Sequence, residues 1–202
     1  MLDGLDDIDW SNLEHAYGPA DDVPDLLRSL ISADKDERDE ALNELFGNVW
    51  HQGTVYSSTS HVVPFLTEIL ESDAAPDREG VIMLFALIAA GTGYLEVHAA
   101  DEKNVNKWTD ILRKDGRDFE QELHRERQAV ERVRHACRPH LGMLLPYLEN
   151  PEPDMRMEVA RALAAYPGER DIFLPSLETA FANETDEEVR ESMEEDLKAL
   201  RE

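Results

Sequence analysis

The residues with the widest chemical range lie together in the stretch GNVWHQGTVYSSTSHVVPFL, residues 47–66. Trp50, His51 and Tyr56 are followed there by four hydroxyl side chains at positions 57–60. A hydroxyl beside a histidine is the minimal set for nucleophilic catalysis, and exposed aromatic side chains are typical of protein-binding surfaces. The choice between these roles depends on the elements that position the stretch.

Motifs that would indicate catalysis or metal binding do not occur in the sequence. It has no H-E-x-x-H, no pair of C-x-x-C, no phosphate-binding glycine loop and no G-x-S-x-G. His124 and His135 are 11 residues apart, which puts them on one face of a charged helix and favours ordinary surface histidines. Cys137 is the only cysteine and occupies an apolar position, so we expect it to be buried. The sequence therefore predicts no catalytic residue, no metal and no cofactor.

The position of the stretch favours a structural joint between two helices. Gly53 is predicted to end the preceding helix as its C-cap, and residues 57–60 offer N-caps for the next helix. In this interpretation the aromatic residues pack between helix pairs. The alternative stays open that Trp50, His51 and Tyr56 lie on the rim of a protein-binding surface.

The helices themselves belong to an internal repeat. Residues 23–46 (VPDLLRSLISADKDERDEALNELF) align with residues 63–87 (VPFLTEILESDAAPDREGVIMLFAL), and weaker copies span residues 145–166 and 174–200. Each copy has a proline, an apolar helix, an acidic turn, an arginine and a second amphipathic helix. One such pair cannot bury its apolar stripe alone, so the pattern predicts helix pairs that stack on their neighbours. We expect no β-strand, because no long alternating run occurs.

An insertion at residues 92–140 separates the second copy from the third. Its GTGY motif, residues 91–94, interrupts a buried helix, and a short helix is predicted to end near Gly116. A longer helix follows, whose seam runs through Phe119, Val133 and Cys137, with Glu126 as its polar interruption. Pro139 should end or kink this helix.

The charge of the chain is strongly negative and unevenly distributed. The net charge is −25, yet residues 101–140 hold 10 of the 20 basic residues and have a net charge of +1. The remainder repels phosphate backbones and attracts basic proteins, so we expect a basic protein partner and no direct nucleic-acid binding. Adaptation to salt is an alternative cause, since the chain has 5 Lys against 15 Arg. No apolar run is long enough for a membrane span and no signal-peptide pattern is present, which favours a cytoplasmic location.

With their proline, acidic turn, arginine and Ala/Leu stripe, the four copies resemble HEAT-like repeats of armadillo-type superhelices. The segments WSNLEHAYGPADDVPDLL and HQGTVY are also similar to a group of small bacterial HEAT-like proteins. The resemblance implies an all-α solenoid of stacked antiparallel helix pairs, in a single domain of residues 1–202 with one longer inserted helix. HEAT-like folds act chiefly as protein-binding scaffolds, and some small bacterial ones look like immunity proteins that neutralise a toxin.

The resulting expectation is a non-enzymatic protein of the immunity or antitoxin type that masks a basic toxin. The alternatives are a general scaffold or adaptor without a toxin, and a metal-dependent enzyme or lyase of HEAT-like type. The predicted binding surface is largely acidic and consists of outward positions on the second helices, joined by the three residues of the stretch. These residues are Asp36, Asp39, Asn43, Glu44, Glu158, Arg161, Glu187 and Glu191, together with Trp50, His51 and Tyr56.

Overall fold

The computed structural model describes residues 1–72 and 76–201, and the chain is mostly helical (74%). Within those ranges the α-helices are α1 Val23–Ser29, α2 Lys35–Asn48, α3 Thr59–Glu71, α4 Arg78–Ala90, α5 Tyr94–His98, α6 Glu102–Lys114, α7 Phe119–Cys137, α8 Pro153–Ala164, α9 Arg170–Asn183 and α10 Glu187–Arg201. A 3₁₀ helix, Arg138–Glu149, follows α7, and shorter 3₁₀ turns are Leu5–Asp7, Trp10–Asn12 and Pro167–Glu169. The prediction of an all-α chain is confirmed at this level.

The expectation of no strand was wrong for four two-residue strands, which form two antiparallel hairpins. They are β1 Glu14–His15, β2 Gly18–Pro19, β3 Trp50–His51 and β4 Thr54–Val55. Gln52 and Gly53 make the second turn with φ of 50° and 91°, the left-handed values that a two-residue hairpin turn requires. Gly53 is therefore a hairpin residue and not a helix C-cap. Strands this short carry no alternating pattern, so the period of the sequence could not indicate them.

Helix α2 forms as its capping residues and apolar spacing predict. The Asp34 side chain accepts a hydrogen bond from the backbone N–H of Asp36, and acidic residues occupy the first turn. Ala41, Leu45 and Val49 are buried on one face. This face packs into the main core, where α1 and α3 also contribute buried side chains.

The second helices of the four repeat copies form a row. Helix α2 contacts α4, α4 contacts α8, and α8 contacts α10. On the other side α1 contacts α3, α3 contacts α7, and the 3₁₀ helix contacts α7 and α9. Because α4 contacts α8 directly, the intervening helices α5 and α6 lie outside this row.

The arginine of the repeat ties neighbouring helix pairs together. Arg38 donates two hydrogen bonds to carbonyl groups of the turn before α2 and forms an ion pair with Asp77, just before α4. Arg156 donates two hydrogen bonds to the turn before α8 and pairs with Glu184, in the turn before α10. The arginines of the first and third copies thus make the same contact, whereas Arg78 of the second copy donates to the Leu70 carbonyl of its own helix pair.

The inserted helices have a small apolar cluster of their own. Leu95, Leu112 and Phe119 are buried there, separate from the main core that receives Val133 and Cys137 at the other end of α7. Cys137 is fully buried and α7 ends there, two residues before Pro139, so both predictions are confirmed. No helix in residues 1–72 and 76–201 is sufficiently long and apolar to cross a membrane.

Candidate functional site

Hydrogen bonds join the two hairpins and the GTGY segment, residues 91–94, to one another. The Thr92 N–H donates to the Gly53 carbonyl over 2.8 Å, and the Val55 N–H donates to the Thr92 carbonyl over 3.1 Å. The first hairpin joins the second because Ser57 Oγ accepts a hydrogen bond from the Glu14 N–H at 2.8 Å. Both hairpins and the GTGY segment therefore form one continuous edge, which we call the hairpin edge.

Two glycines of the GTGY segment permit close approach at this edge. A Cβ at Gly91 would lie 2.3 Å from Val55 Cγ1, and one at Gly93 would lie 3.0 Å from Glu126 Oε2. The first contact leaves no room for any side chain at Gly91, and the second is tighter than an ordinary van der Waals contact. The glycines thus set the distance between the hairpin edge and α7.

A cleft of about 950 Å³ lies between the hairpin edge and helices α5 and α7; we call it the hairpin cleft. The second hairpin and the residues after it contribute His51 and Tyr56 to its wall, and α5 contributes Tyr94 and His98. Glu122, Glu126 and three arginines line it from α7 and the residues just before it: Arg117, Arg125 and Arg132. The cleft combines aromatic rings with charges of both signs.

Glu122 is a buried carboxylate whose negative charge is balanced by two arginines. Arg117 donates to its Oε2 at 2.6 Å and Arg125 donates to its Oε1 at 2.9 Å. The Arg117 hydrogen bond is the main reason that the pKa of Glu122 lies below its usual value. This carboxylate and its two cations form a closed structural unit.

Glu126 lies one helical turn later and has no such compensation. Its Oε2 accepts a hydrogen bond from the Leu95 N–H at 2.7 Å, but none of the residues that the structure describes forms an ion pair with it. Burial raises its pKa, and the charges of Glu122 and Glu96 act in the same direction, while the Leu95 hydrogen bond and the charge of Arg117 oppose the shift without cancelling it. Glu126 is therefore a half-buried carboxylate whose charged form is under-stabilised.

Tyr56 and Tyr94 add aromatic surface to the cleft. Burial raises the pKa of Tyr56 to about 12, with smaller contributions from neighbours that include Glu126, so its hydroxyl stays protonated at neutral pH. The Tyr94 ring lies 4.2 Å from the His98 ring and 5.2 Å from the Trp108 ring, measured between centroids. Tyr94 nevertheless remains 38% exposed, so part of its surface is available to a ligand.

The first hairpin presents one exposed aromatic residue and one structural histidine. Tyr17 is 69% exposed, and its ring meets the His51 ring edge-on at 5.5 Å. The buried His15 accepts a hydrogen bond at Nδ1 from the Tyr17 N–H, so its Nε2 carries the proton that it donates to Asp22 at 3.0 Å. His15 thus holds the hairpin to the start of α1, while Tyr17 and His51 remain at the surface.

The three predicted residues of the stretch have different positions. Trp50 is half-buried and packs against the main core, whereas His51 and Tyr56 line the hairpin cleft. Sequence reasoning missed Tyr94, His98 and the α7 side chains that complete the cleft. Two signals for them were present: the glycines of GTGY and the polar interruption of the α7 seam at Glu126.

The other predicted residues lie on α2, α8 and α10, whose outward sides together with that of α4 we call the second-helix face. Asp36, Asn43, Glu44, Arg161, Glu187 and Glu191 are exposed there. Asp39 is half-buried and pairs with Lys35. Glu158 is only 15% exposed and accepts a hydrogen bond from Arg161 at 2.8 Å.

Helix α4 corrects the expectation of a largely acidic face. After the first turn its least buried positions are Met83, Leu87 and Ala90, which recur at helical spacing. Met83 and Ala90 also pack against the main core, and α4 contacts both α2 and α8, so these positions form a half-buried apolar strip within the row. The second-helix face is therefore acidic on α2 and α10 and apolar on α4.

The arginines of α7 and Arg138, which follows it, have mostly structural partners. Arg127 pairs with Glu96 of α5, Arg138 lies 3.6 Å from Glu169, and Arg134 donates a hydrogen bond to the Ala165 carbonyl.

Within the ranges that the structure covers, no group of three or more His, Cys, Asp and Glu side chains is arranged to hold a metal ion.

Comparisons with models of known protein families and with curated proteins give no match to this chain.

Proposed function

We propose that this chain is a non-enzymatic, protein-binding α-solenoid of HEAT-like type that captures a basic protein, as an immunity or antitoxin protein masks a toxin. The observation that carries the proposal is the set of free carboxylates on the second-helix face. Asp36, Glu44, Glu187 and Glu191 are exposed, and none has an ion-pair partner within residues 1–72 and 76–201. These side chains are available to cations of another molecule.

The solenoid arrangement is supported by the order of helix contacts. The row α2–α4–α8–α10 follows the order of the repeat copies, and the Arg38 and Arg156 contacts recur between successive copies. In a stack of this kind each pair contacts only its neighbours, and the second helices create one extended surface. Such surfaces are suited to another macromolecule more than to a small substrate.

The distribution of polarity also fits an interface. Protein-binding surfaces combine an apolar centre with a polar periphery, and here the α4 strip of Met83 and Leu87 lies within the row whose outer helices are acidic. Exposed charges of one sign accelerate the encounter with a partner of opposite sign and make it sensitive to salt. A basic toxin whose own site is built for phosphates would meet both requirements.

The test is capture of partners from the cytosol of the source cell on the immobilised chain, at about 0.05 M and about 0.5 M NaCl, which differ several-fold in Debye length. The paired variant Asp36→Lys/Glu44→Lys is compared with Glu120→Lys/Glu131→Lys, which reverses two exposed charges on α7. We expect a basic partner that is lost at high salt and lost in the α2 variant only.

Other outcomes of the capture experiment, together with the metal content of the purified protein, identify the alternatives. A partner that is retained by the α2 variant, is indifferent to salt and is lost in Tyr56→Ala would indicate a general adaptor that binds through aromatic residues. Stoichiometric iron or zinc in the purified protein would contradict the non-enzymatic proposal. Capture of no basic partner would contradict the proposal for a toxin-masking role.

A further inference from the structure

The hairpin cleft contains one carboxylate that is paired with two arginines and another that has no ion-pair partner among the described residues. Glu122 receives two guanidinium groups, whereas Glu126, four residues later on the same helix, receives a single backbone N–H. Among the described residues only Oε2 of Glu126 accepts a hydrogen bond. Its Oε1 can therefore accept one from a ligand. Partial burial of a carboxylate without an ion-pair partner is unfavourable, so a cation that arrives from outside would stabilise the charged form of Glu126.

We propose that the hairpin cleft binds the guanidinium group of an arginine side chain of the partner, with Glu126 Oε1 as acceptor and Tyr94 and Tyr56 as aromatic walls. The inference rests on the proposed function, since it assigns a specific contact to the basic partner. A volume of about 950 Å³ accommodates an arginine side chain with its neighbouring backbone.

Arginine fits this site better than lysine for reasons of shape. A guanidinium group is planar, donates several hydrogen bonds in one plane and stacks on aromatic rings, while an ammonium group is a compact, strongly hydrated point charge. Tyr94 is 38% exposed and lines the cleft, so it offers a ring surface of this kind. Tyr56 keeps its proton at neutral pH and therefore adds no second negative charge.

Two of the three arginines that line the same cleft are already engaged by a carboxylate. Arg117 and Arg125 are both bound to Glu122. Arg132 is exposed on α7 and has no ion pair among the described residues; burial lowers the pKa of His61, and the charge of Arg132 acts in the same direction. Glu14 also lines the cleft and adds a negative charge to the opposite wall.

The experiment titrates the full chain with N-acetyl-L-arginine amide, followed by calorimetry and by NMR shifts of the cleft residues. The matched probe is the corresponding citrulline amide, which keeps the shape of arginine and lacks the charge. We expect a Kd on the order of 1 mM for the arginine probe, as befits a ligand of this size, and at least tenfold weaker binding of the citrulline probe.

The matched variants are Glu126→Gln and Glu131→Gln, both on α7. A glutamine at position 126 keeps an oxygen for the Leu95 N–H and removes the charge, so the fold should persist, which a thermal melt verifies. We expect Glu126→Gln to weaken the arginine probe at least tenfold and Glu131→Gln, at an exposed position, to have no effect. Equal binding of both probes, no binding to the wild type, or an unchanged Kd in Glu126→Gln would overturn the assignment.

Two further outcomes separate this inference from the proposed function. If a basic partner is captured in a salt-sensitive way and the arginine probe does not bind, only the cleft assignment fails. If the probe binds as expected and no basic partner is captured, the proposed function fails while the cleft chemistry stands. Binding of adenosine monophosphate in place of the arginine probe would mean that the cleft arginines form the site, and our assignment would be wrong.

Discussion

Replacing Glu184 by glutamine should destabilise the protein far more than replacing any exposed acid of the same helix pair. Glu184 accepts two parallel hydrogen bonds from Arg156, at 2.7 and 2.8 Å, and two from the N–H groups of Thr185 and Asp186, both at 2.9 Å. Its side chain is only 3% exposed. The pair joins the turn before α10 to the start of α8, so its loss loosens the last helix pair.

The magnitude follows from the acidity of the group. The hydrogen bonds from Arg156, with smaller contributions from the N–H groups of Asp186 and Thr185, lower the pKa of Glu184 from the usual 4.5 to about 2. Since a tenfold change in acidity is worth about 1.4 kcal/mol, the charged form contributes about 3 kcal/mol to the free energy of unfolding at neutral pH. Because the pKa in the folded state is lowered, this stability is fully present above about pH 5.5 and decreases as the pH falls from 4.5 towards 2.

The assay is urea unfolding of both proteins, followed by circular dichroism at pH 7 and pH 3.5. We expect Glu184→Gln to lower the free energy of unfolding by about 3 kcal/mol at pH 7, and the difference between the proteins to shrink by about 1.4 kcal/mol at pH 3.5. The control is Glu178→Gln, which removes an exposed ion pair with Arg201 between α9 and α10 and should cost less than about 1 kcal/mol. A Glu184→Gln effect no larger than that of the control, or one independent of pH, would refute the reasoning.

Three other positions give independent predictions. Burial raises the pKa of Asp196 to about 6, and its Oδ2 has no hydrogen-bond partner in the described part of the chain. Asp196→Asn should therefore raise the free energy of unfolding at pH 8 by about 1–2 kcal/mol, with no gain below about pH 3.5, as urea unfolding will show. Burial also raises the pKa of Cys137 to about 12, so its thiol should not react with Ellman's reagent at pH 8 until urea unfolds the chain. Gly91→Ala should lower the free energy of unfolding by about 2 kcal/mol, because its Cβ meets Val55 at 2.3 Å, while Gly168→Ala, in open space, should change it little.

The helices were predictable from the sequence because their signals are local. The Asp34 cap, the apolar spacing of α2 and the proline after α7 each act within a few residues, and each prediction matches an observed helix boundary or buried face. The hairpins were not predictable in the same way. A strand of two residues has no period. The second hairpin is held in place by Thr92, whose partners Val55 and Gly53 lie 37 and 39 residues away in the sequence.

The hairpin cleft was only partly predictable, because it assembles side chains from separate segments. The residue types of His51 and Tyr56 make them candidates in the sequence alone. Glu126 stands out there only as a polar residue in the apolar seam of α7. Its proposed role depends on its having no ion-pair partner in the described part of the chain, which no spacing rule reveals. The contrast with Glu122 becomes evident only when Arg117 is placed in space.

The two kinds of carboxylate in this molecule should contribute to binding in different ways. Asp36 and Glu187 are exposed, so salt screens them, and they should act mainly on the rate of association with a basic partner. Glu126 is half-buried and screened far less, so a guanidinium group bound there should act mainly on the rate of dissociation. Raising the salt concentration in a kinetic binding assay should therefore slow association of the wild type, while Glu126→Gln should accelerate dissociation at every salt concentration.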